Sequence, residues 1–470
     1  MFTNYRAKSL LSGVVSLAVL LAAGCSSGSN SPTSSTTPSN TPTGQAFVVG
    51  TDAPAVNVVS FTVQVQSIDA VNSSGTSVPL ISGMPSVDFA RYNGLQTLLD
   101  LNSVPVGTYN SISITLGSTA TIGYLNTSTG SAPTIQTESA TLTQTTISVP
   151  LSSPLVIATS TSMGLRVDFD LNKSIQTDSS GTINTSVDPV FNVSVVKPSD
   201  QMGYIDEYVG GVVSVNATGQ SFVIQGPHGE QLTVDVNGQT EWDNNDTIND
   251  LSTSSIVLVS GTVDNADSTF DADEVAILSQ NGFYATGQVT YVQPTSGAAT
   301  SFDLYVRGLL PTSTGITLGQ IATVDLSGSE KFFIRWMHNP ISEFLFNSSA
   351  MTPGQDVAIG GPASGAANAQ SVTVNRVVLR HWGFNGTIVA GSVNPGAGTF
   401  QMNITGFAGV LVPTPVTVYV GDNCGYRFGF GQFTDISDGA KVRVVGLLLK
   451  NPTSGQLVLL ARYVDDMSND

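Results

Sequence analysis

Basic residues are scarce in this chain: 16 Lys and Arg stand against 34 Asp and Glu among 470 residues, with only 3 His. A formal charge of −18 repels phosphate backbones and anionic headgroups, so neither nucleic acid nor a bare lipid surface is a partner for it. Cysteine is rarer still, at Cys25 and Cys424 alone, which excludes a disulfide framework and the paired-cysteine zinc motifs. Long 3.6-period stretches of Leu, Glu, Lys and Ala are missing, which argues against a helical protein. No apolar run reaches the roughly 20 residues of a membrane-spanning helix; the longest, Leu10 to Ala23, has about 14.

That run follows a basic flank, Arg6 and Lys8, and ends in Leu20-Leu21-Ala22-Ala23-Gly24-Cys25. It resembles a bacterial lipoprotein signal, with Ala22 where such signals most often carry Leu. An ordinary secretory signal cut near Ala23 is the alternative. The resemblance implies removal of residues 1–24 and lipid on Cys25, with more than one acyl chain needed for a stable hold. Ser26 after the cysteine implies the outer membrane or cell surface rather than the inner membrane. Removal of the signal takes away two basic residues and no acid, moving the net charge from −18 to −20. Residues 25–45 then form a tether: fifteen of the twenty residues from Ser26 to Gln45 are Ser, Thr or Pro, too polar to offset the entropy of ordering. Its mean span as a flexible coil is roughly 25 Å.

The remainder reads as all-β. Over residues 46–200, alternation recurs in Phe61-Thr62-Val63-Gln64-Val65-Gln66, Ile112-Ser113-Ile114-Thr115-Leu116, Leu165 to Leu171 and Phe191 to Val195, which predicts an antiparallel β-sandwich with one wet face. Three ordered motifs run through it: Gly50-Thr51-Asp52-Ala53-Pro54, then Leu98-Leu99-Asp100-Leu101 before Pro105-Val106-Gly107-Thr108-Tyr109, then Asp168-Phe169-Asp170 with Lys173-Ser174 and Asp188-Pro189. They resemble a domain-of-unknown-function family common in bacterial lipoproteins, from which Ser113 departs where a basic residue is usual. The Pro-x-Gly-Thr-Tyr segment is also similar to the last strands of transthyretin-like sandwiches, so the expected fold is a transthyretin- or immunoglobulin-like sandwich with a tyrosine at the core edge.

From about 205 onward the chain repeats itself three times, over 205–280, 283–380 and 383–466. The anchors are Gly211/Val213, Gly287/Val289 and Gly386/Ile388; Phe222, Phe302 and Phe400; Val234, Val324 and Val416; and strands closing on Gly261, Gly361 and Gly446. Short strands with glycines at sharp bends predict three small OB-like or SH3-like barrels in line, the second carrying an insertion. The units are similar to a second uncharacterised family of extracytoplasmic bacterial proteins.

Chemistry-bearing residues are sparse. Asp264, Asp267, Asp271, Asp273 and Glu274 crowd one segment and could supply oxygen ligands to calcium; without the glycine and helices of a helix-loop site, a solvated acidic hairpin is the other reading. Asp168 and Asp170 share a strand face with Arg166, which fits an acid-base pair or a polar wet face. His228, His338 and His381 lie far apart with no zinc spacing, and the Gly-x-Ser-x-Gly match at Gly24 to Gly28 straddles the signal. Cys424 beside Arg427 is either a reactive thiol or a buried one. Tyr426, Phe428 and Phe430 alternate, and Trp336 lies in the second repeat's insertion; such aromatics stack on sugars, anchor a protein partner or fill a barrel. These readings point to a lipid-anchored envelope protein that binds, adheres or scaffolds without catalysis and without a cofactor. A hydrolase using surface carboxylates and a calcium-dependent assembly module are the alternatives.

Overall fold

Side chains two apart on a strand share a face. In Val58–Asn72, Phe61, Val63 and Val65 are buried while Gln64 and Gln66 are exposed. The computed structural model describes residues 41–470 apart from 54–57, 82–85, 127–133, 177–182, 228, 267–268, 312–313, 336–340, 342, 363–370 and 469–470. Cys25 and residues 26–40 of the tether lie outside the described residues, and the tether's expected end at residue 45 is corrected, because Thr43 to Gln45 belong to the strand Thr43–Ala53. The all-β expectation holds.

The N-terminal module is a sandwich. One sheet runs in the order Phe191–Val196, Met163–Asp170, Thr43–Ala53, Thr97–Pro105, and the other is centred on Val58–Asn72 and Gly107–Asn126. Between them Phe169 stacks on Phe191 with ring centroids 4.5 Å apart and meets Phe61 at 5.0 Å. Tyr109 sits at the core edge, its hydroxyl donating to the Pro105 carbonyl at 2.8 Å. The pairing is not wholly antiparallel: Thr43–Ala53 lies parallel to Met163–Asp170, setting Thr51 opposite Asp168 and Asp52 opposite Phe169.

Three further sheets share one plan. In the first, Ile205–Asn216, Ser221–Gln225 and Gln231–Asp235 form a meander; Ile256–Val263 joins Ile205–Asn216, and Thr269–Ser279 closes on Gln231–Asp235 in parallel. The strand order is therefore 1-2-3-5-4 with a parallel 3–5 closure, the order of an OB-type barrel. The third sheet closes in the same way, and the second does so through the short strand Ser371–Thr373. Gly210 faces Val257, as Gly287 faces Val357 and Gly386 faces Val442. The anchor of the first unit is thus Gly210, one residue before the Gly211 expected. A Cβ at Gly287 or Gly386 would run into the carbonyls of Tyr305 or Asn403, whereas one at Gly211 would meet nothing.

The barrels are not strung in line. Residues Pro42–Asp470 form one compact unit, and the sandwich segment Phe89 to Thr97 touches all three barrels. Gln96 N–H donates to Asp206 Oδ2 at 2.9 Å and Thr97 Oγ1 to the Glu207 carbonyl at 2.8 Å. Asn93 Nδ2 donates to the Gly383 carbonyl at 2.8 Å, and Arg427 Nη2 to the Gly94 carbonyl at 3.0 Å. The Arg91 guanidinium lies against Gly308. Apolar contacts run alongside, with Phe47, Val49 and Leu98 of the sandwich completing the core of the first barrel.

Cations are sorted by type across this junction. Seven of the nine described arginines are buried, whereas none of the five described lysines is. Arginine keeps its charge, is weakly hydrated and forms a planar fork, which suits buried pairing. Arg380 pairs with Glu207, Arg335 with Glu274 at 3.4 Å and Arg462 with Asp206 at 3.5 Å, each bridging two barrels. Arg427 and Arg443 both grip Asp465, at 2.6 and 2.8 Å, and Arg443 reaches on to the Asp52 carbonyl at 3.2 Å. The wet strand face expected for Arg166, Asp168 and Asp170 is corrected, because all three are buried: the Phe428 ring of the third barrel lies against Arg166, and Asp170 is held by Lys173 and Asn192 of the sandwich.

Burial opposes ionisation of Asp465, yet Arg427 and Arg443 outweigh it and hold its carboxyl below the usual carboxylate range. Asp465→Asn leaves two buried guanidinium groups without their carboxylate. Urea unfolding at neutral pH is expected to lose about 3–5 kcal/mol; an unchanged midpoint would refute the role assigned to the pair.

Candidate functional site

In Leu304-Tyr305-Val306-Arg307 the alternation sends Leu304 and Val306 into the core of the second barrel. Tyr305 turns outward to meet Val59 of the sandwich and Phe407 of the third barrel, and Arg307 follows on the same face. Arg307 is 3% exposed. Its guanidinium carbon lies 4.2 Å from the centroid of the Trp382 ring and 5.6 Å from that of Phe407. Its Nε and Nη1 have no hydrogen-bond partner among the described residues.

These side chains line a cleft where the sandwich, the second barrel and the third barrel meet. Val58 and Ala90 form one wall, the short helix Gly406–Leu411 another, and Asn93 and Asn385 flank Arg307 and Trp382. The space holds about 60 Å³, several times what one water needs. Asn93 is fixed through its Nδ2 to the Gly383 carbonyl, and among the described residues neither its Oδ1 nor that of Asn385 has a hydrogen-bond partner. The cleft therefore offers guanidinium donors and two amide acceptors against an apolar wall, an arrangement suited to binding.

Behind Trp382 lies a smaller chamber of about 10 Å³ lined by Arg91, Glu207, Arg307, Asp356 and Arg380. Burial pushes the Asp356 carboxyl up to about 6, against the pull of Arg380 and Arg307. Burial draws the Arg307 guanidinium down, with Asp88 and Asp356 opposing.

The aromatics expected to form one face are divided between two environments. Tyr426 pairs alongside Val464 as Trp242 does alongside Val275 and Phe332 alongside Val377, and all three aromatics pack half-buried on their own barrel cores. Phe430 packs on the third core as well. Phe428 breaks the alternation with φ of +60° and is 42% exposed. Its ring lies over Arg166, Arg427 and Arg443 with centroid distances of 5.6, 5.7 and 5.8 Å. Trp336 lies outside the described residues.

The acidic segment is also divided. Glu274 turns inward to Arg335, Asp273 is on the exposed face of the same strand, and Asp264 Oδ1 accepts from the Ala266 N–H; Asp271 is half-buried, and Asp267 lies outside the described residues. Among the described residues no group of three or more His, Cys, Asp and Glu side chains is placed to hold a metal ion. Asp168 contacts Arg166 at 3.4 Å, and Asp170 caps the turn Leu171–Ser174 and pairs with Lys173 at 2.8 Å. His381 is buried, and burial together with Arg462, Arg335 and Arg380 keeps it neutral. Burial pushes the Cys424 thiol up to about 12, so it stays protonated at neutral pH. His228, His338 and Gly24 to Gly28 lie outside the described residues.

Arg307, Trp382, Asn93 and Asn385 were not singled out from the sequence. A signal existed: Arg307, Arg380, Arg443 and Arg462 each sit in an otherwise apolar strand run.

Residues 43–186 match the model of a family described as a domain of unknown function (DUF4382), which bears out the resemblance of the N-terminal module. No curated protein matches the chain.

The Asp356 carboxyl titrates higher in the folded than in the unfolded chain, so the fold binds this proton more tightly. Its stabilisation is complete below about pH 4 and is lost as pH rises through about 6. The stability of the wild type relative to Asp356→Asn should therefore fall by about 2–3 kcal/mol between pH 4 and 7. Parallel urea titrations across that range measure it, and a pH-independent difference would contradict the assignment.

Proposed function

We propose that this chain is a lipid-anchored, non-enzymatic binding protein of the bacterial cell envelope. Lipid on Cys25 holds it to the outer membrane or cell surface, and residues 26–42 carry the folded part clear of the bilayer. The sandwich and the three barrels serve as one rigid platform for adhesion or scaffolding. The observation that carries this reading is the use made of charge. Buried arginines and acids join the modules to one another, as in Arg380 with Glu207 and Arg462 with Asp206, while Arg307 faces a cleft with donors to spare.

The support for this address is the apolar run Leu10 to Ala23 behind Arg6 and Lys8, ending at Gly24-Cys25. Hydrolysis by Asp168 or Asp170 is less favoured, because each already faces a cation of its own strand or turn. Calcium-dependent assembly is less favoured for a similar reason, since Glu274 is committed to Arg335.

The address is tested by producing the full chain in a bacterium with two membranes. Labelled palmitate should enter the wild type and not Cys25→Ser, and the wild type should fractionate with the outer membrane while the variant is released. Retention of Cys25→Ser in the membrane fraction, or a freely soluble wild type, would overturn the anchor.

A further inference from the structure

We infer that the cleft between the sandwich and the second and third barrels binds a small hydroxycarboxylate, of the size of glycolate. Its carboxylate pairs with Arg307 and its hydroxyl donates to Asn385. This gives a ligand class to the binding platform proposed above and depends on that reading only in treating the chain as a binding protein.

The donor side comes first. Arg307 is 3% exposed, and stacking on Trp382 at 4.2 Å fixes the plane of its guanidinium. One face is thereby taken, and its N–H edges remain for a ligand. Nε and Nη1 have no acceptor among the described residues. Among the described residues no carboxylate lies within ion-pair distance of Arg307: Glu207 and Asp356 pair with Arg380 and Asp88 accepts from the Phe61 N–H at 2.9 Å, so Asp88 and Asp356 act on Arg307 only at longer range. A buried guanidinium with free edges selects a planar anion able to accept two parallel hydrogen bonds, and a carboxylate has that geometry.

The acceptor side narrows the class. Asn93 Oδ1 and Asn385 Oδ1 both lack a partner among the described residues and line the same cleft. A bare carboxylate has no proton to give them, so acetate would leave two acceptors desolvated and unmet. A hydroxyl on the carbon next to the carboxylate supplies a donor for one of the two, Asn385 Oδ1. Sites built to bond a hydroxyl reject the analogue that lacks it for this reason. Size gives the last limit, since about 60 Å³ accommodates roughly four to six water-sized groups. The alkyl portion of the ligand lies against Val58, Ala90, Phe407 and Ala408.

The test titrates the detergent-solubilised full chain with glycolate, acetate and ethylene glycol at constant ionic strength held with sodium chloride, followed by calorimetry and tryptophan fluorescence. Glycolate should saturate, at least about tenfold tighter than acetate, with ethylene glycol weaker still. Arg307→Lys keeps the charge but loses the planar fork, and should weaken both acids by about tenfold or more. Should that buried substitution impair folding, Asn385→Ala at a half-buried position decides the matter. It should leave acetate binding unchanged and bring the preference for glycolate close to one.

Absence of saturation up to ~100 mM glycolate, far above any specific affinity of biological use, would overturn the assignment. So would equal affinity for acetate and glycolate in the wild type, or a preference that survives Asn385→Ala. A chain that binds glycolate but does not partition with membranes refutes the anchor alone; an anchored chain indifferent to glycolate refutes the ligand alone.

Discussion

Buried arginine–carboxylate pairing between modules is the constraint on which the rest of the structure depends. Removing charges from water is costly, and in the interior a pair repays that only with good geometry and hydrogen bonds for the remaining donors. Here the sandwich provides much of that completion through backbone atoms. The Gly94 carbonyl receives Arg427, the Asp52 carbonyl receives Arg443, and the Gln96 N–H caps Asp206. The pairs add little net stability compared with apolar contacts of equal volume, but a misplaced partner leaves an uncompensated charge. They therefore specify how the modules sit, while Phe47, Val49 and Leu98 on the first barrel supply the apolar burial that drives association.

The Arg307 cleft follows from this arrangement. Three modules joined around charged contacts leave seams, and Trp382 separates one seam into an outer cleft and an inner chamber. In the chamber Arg91, Arg307 and Arg380 stand around Glu207 and Asp356. Arg307 stands at the boundary, lining both spaces with its guanidinium over the indole. A side chain placed by two barrels and a sandwich is rigid without belonging to a loop, and such rigidity is what a selective polar site needs.

Much of the architecture was legible in the chain, because it rests on local period. Alternation located the strands of the sandwich, the Pro105 to Tyr109 motif announced the buried tyrosine, and recurring glycines marked the bends of the barrels. What was not legible depends on contacts between distant strands. Arg166 looks like part of a wet face until Phe428, Arg427 and Arg443 of the third barrel come against it, and Asp170 does so until Lys173 and Asn192 close on it. Tyr426 looks like part of a binding stripe until its equivalence with Trp242 and Phe332 shows a recurrent core position. The cleft was hidden for the same reason, since Asn93, Arg307 and Trp382 come from three modules and share no motif.

One cross-strand pair has three different fillings. In the first barrel it is Leu258 opposite Ala276, in the second Ala358 opposite Val378, and in the third Arg443 opposite Asp465. The first two fillings meet in a single apolar cluster, whereas the third faces the sandwich with its charges. Three copies of nearly one shape thus carry two incompatible surface chemistries. Exchanging the third barrel with either of the others would bury a guanidinium and a carboxylate among methyl groups and strand an apolar pair against the carbonyls of Asp52 and Gly94. The barrels resemble one another in strand order yet are not interchangeable in position.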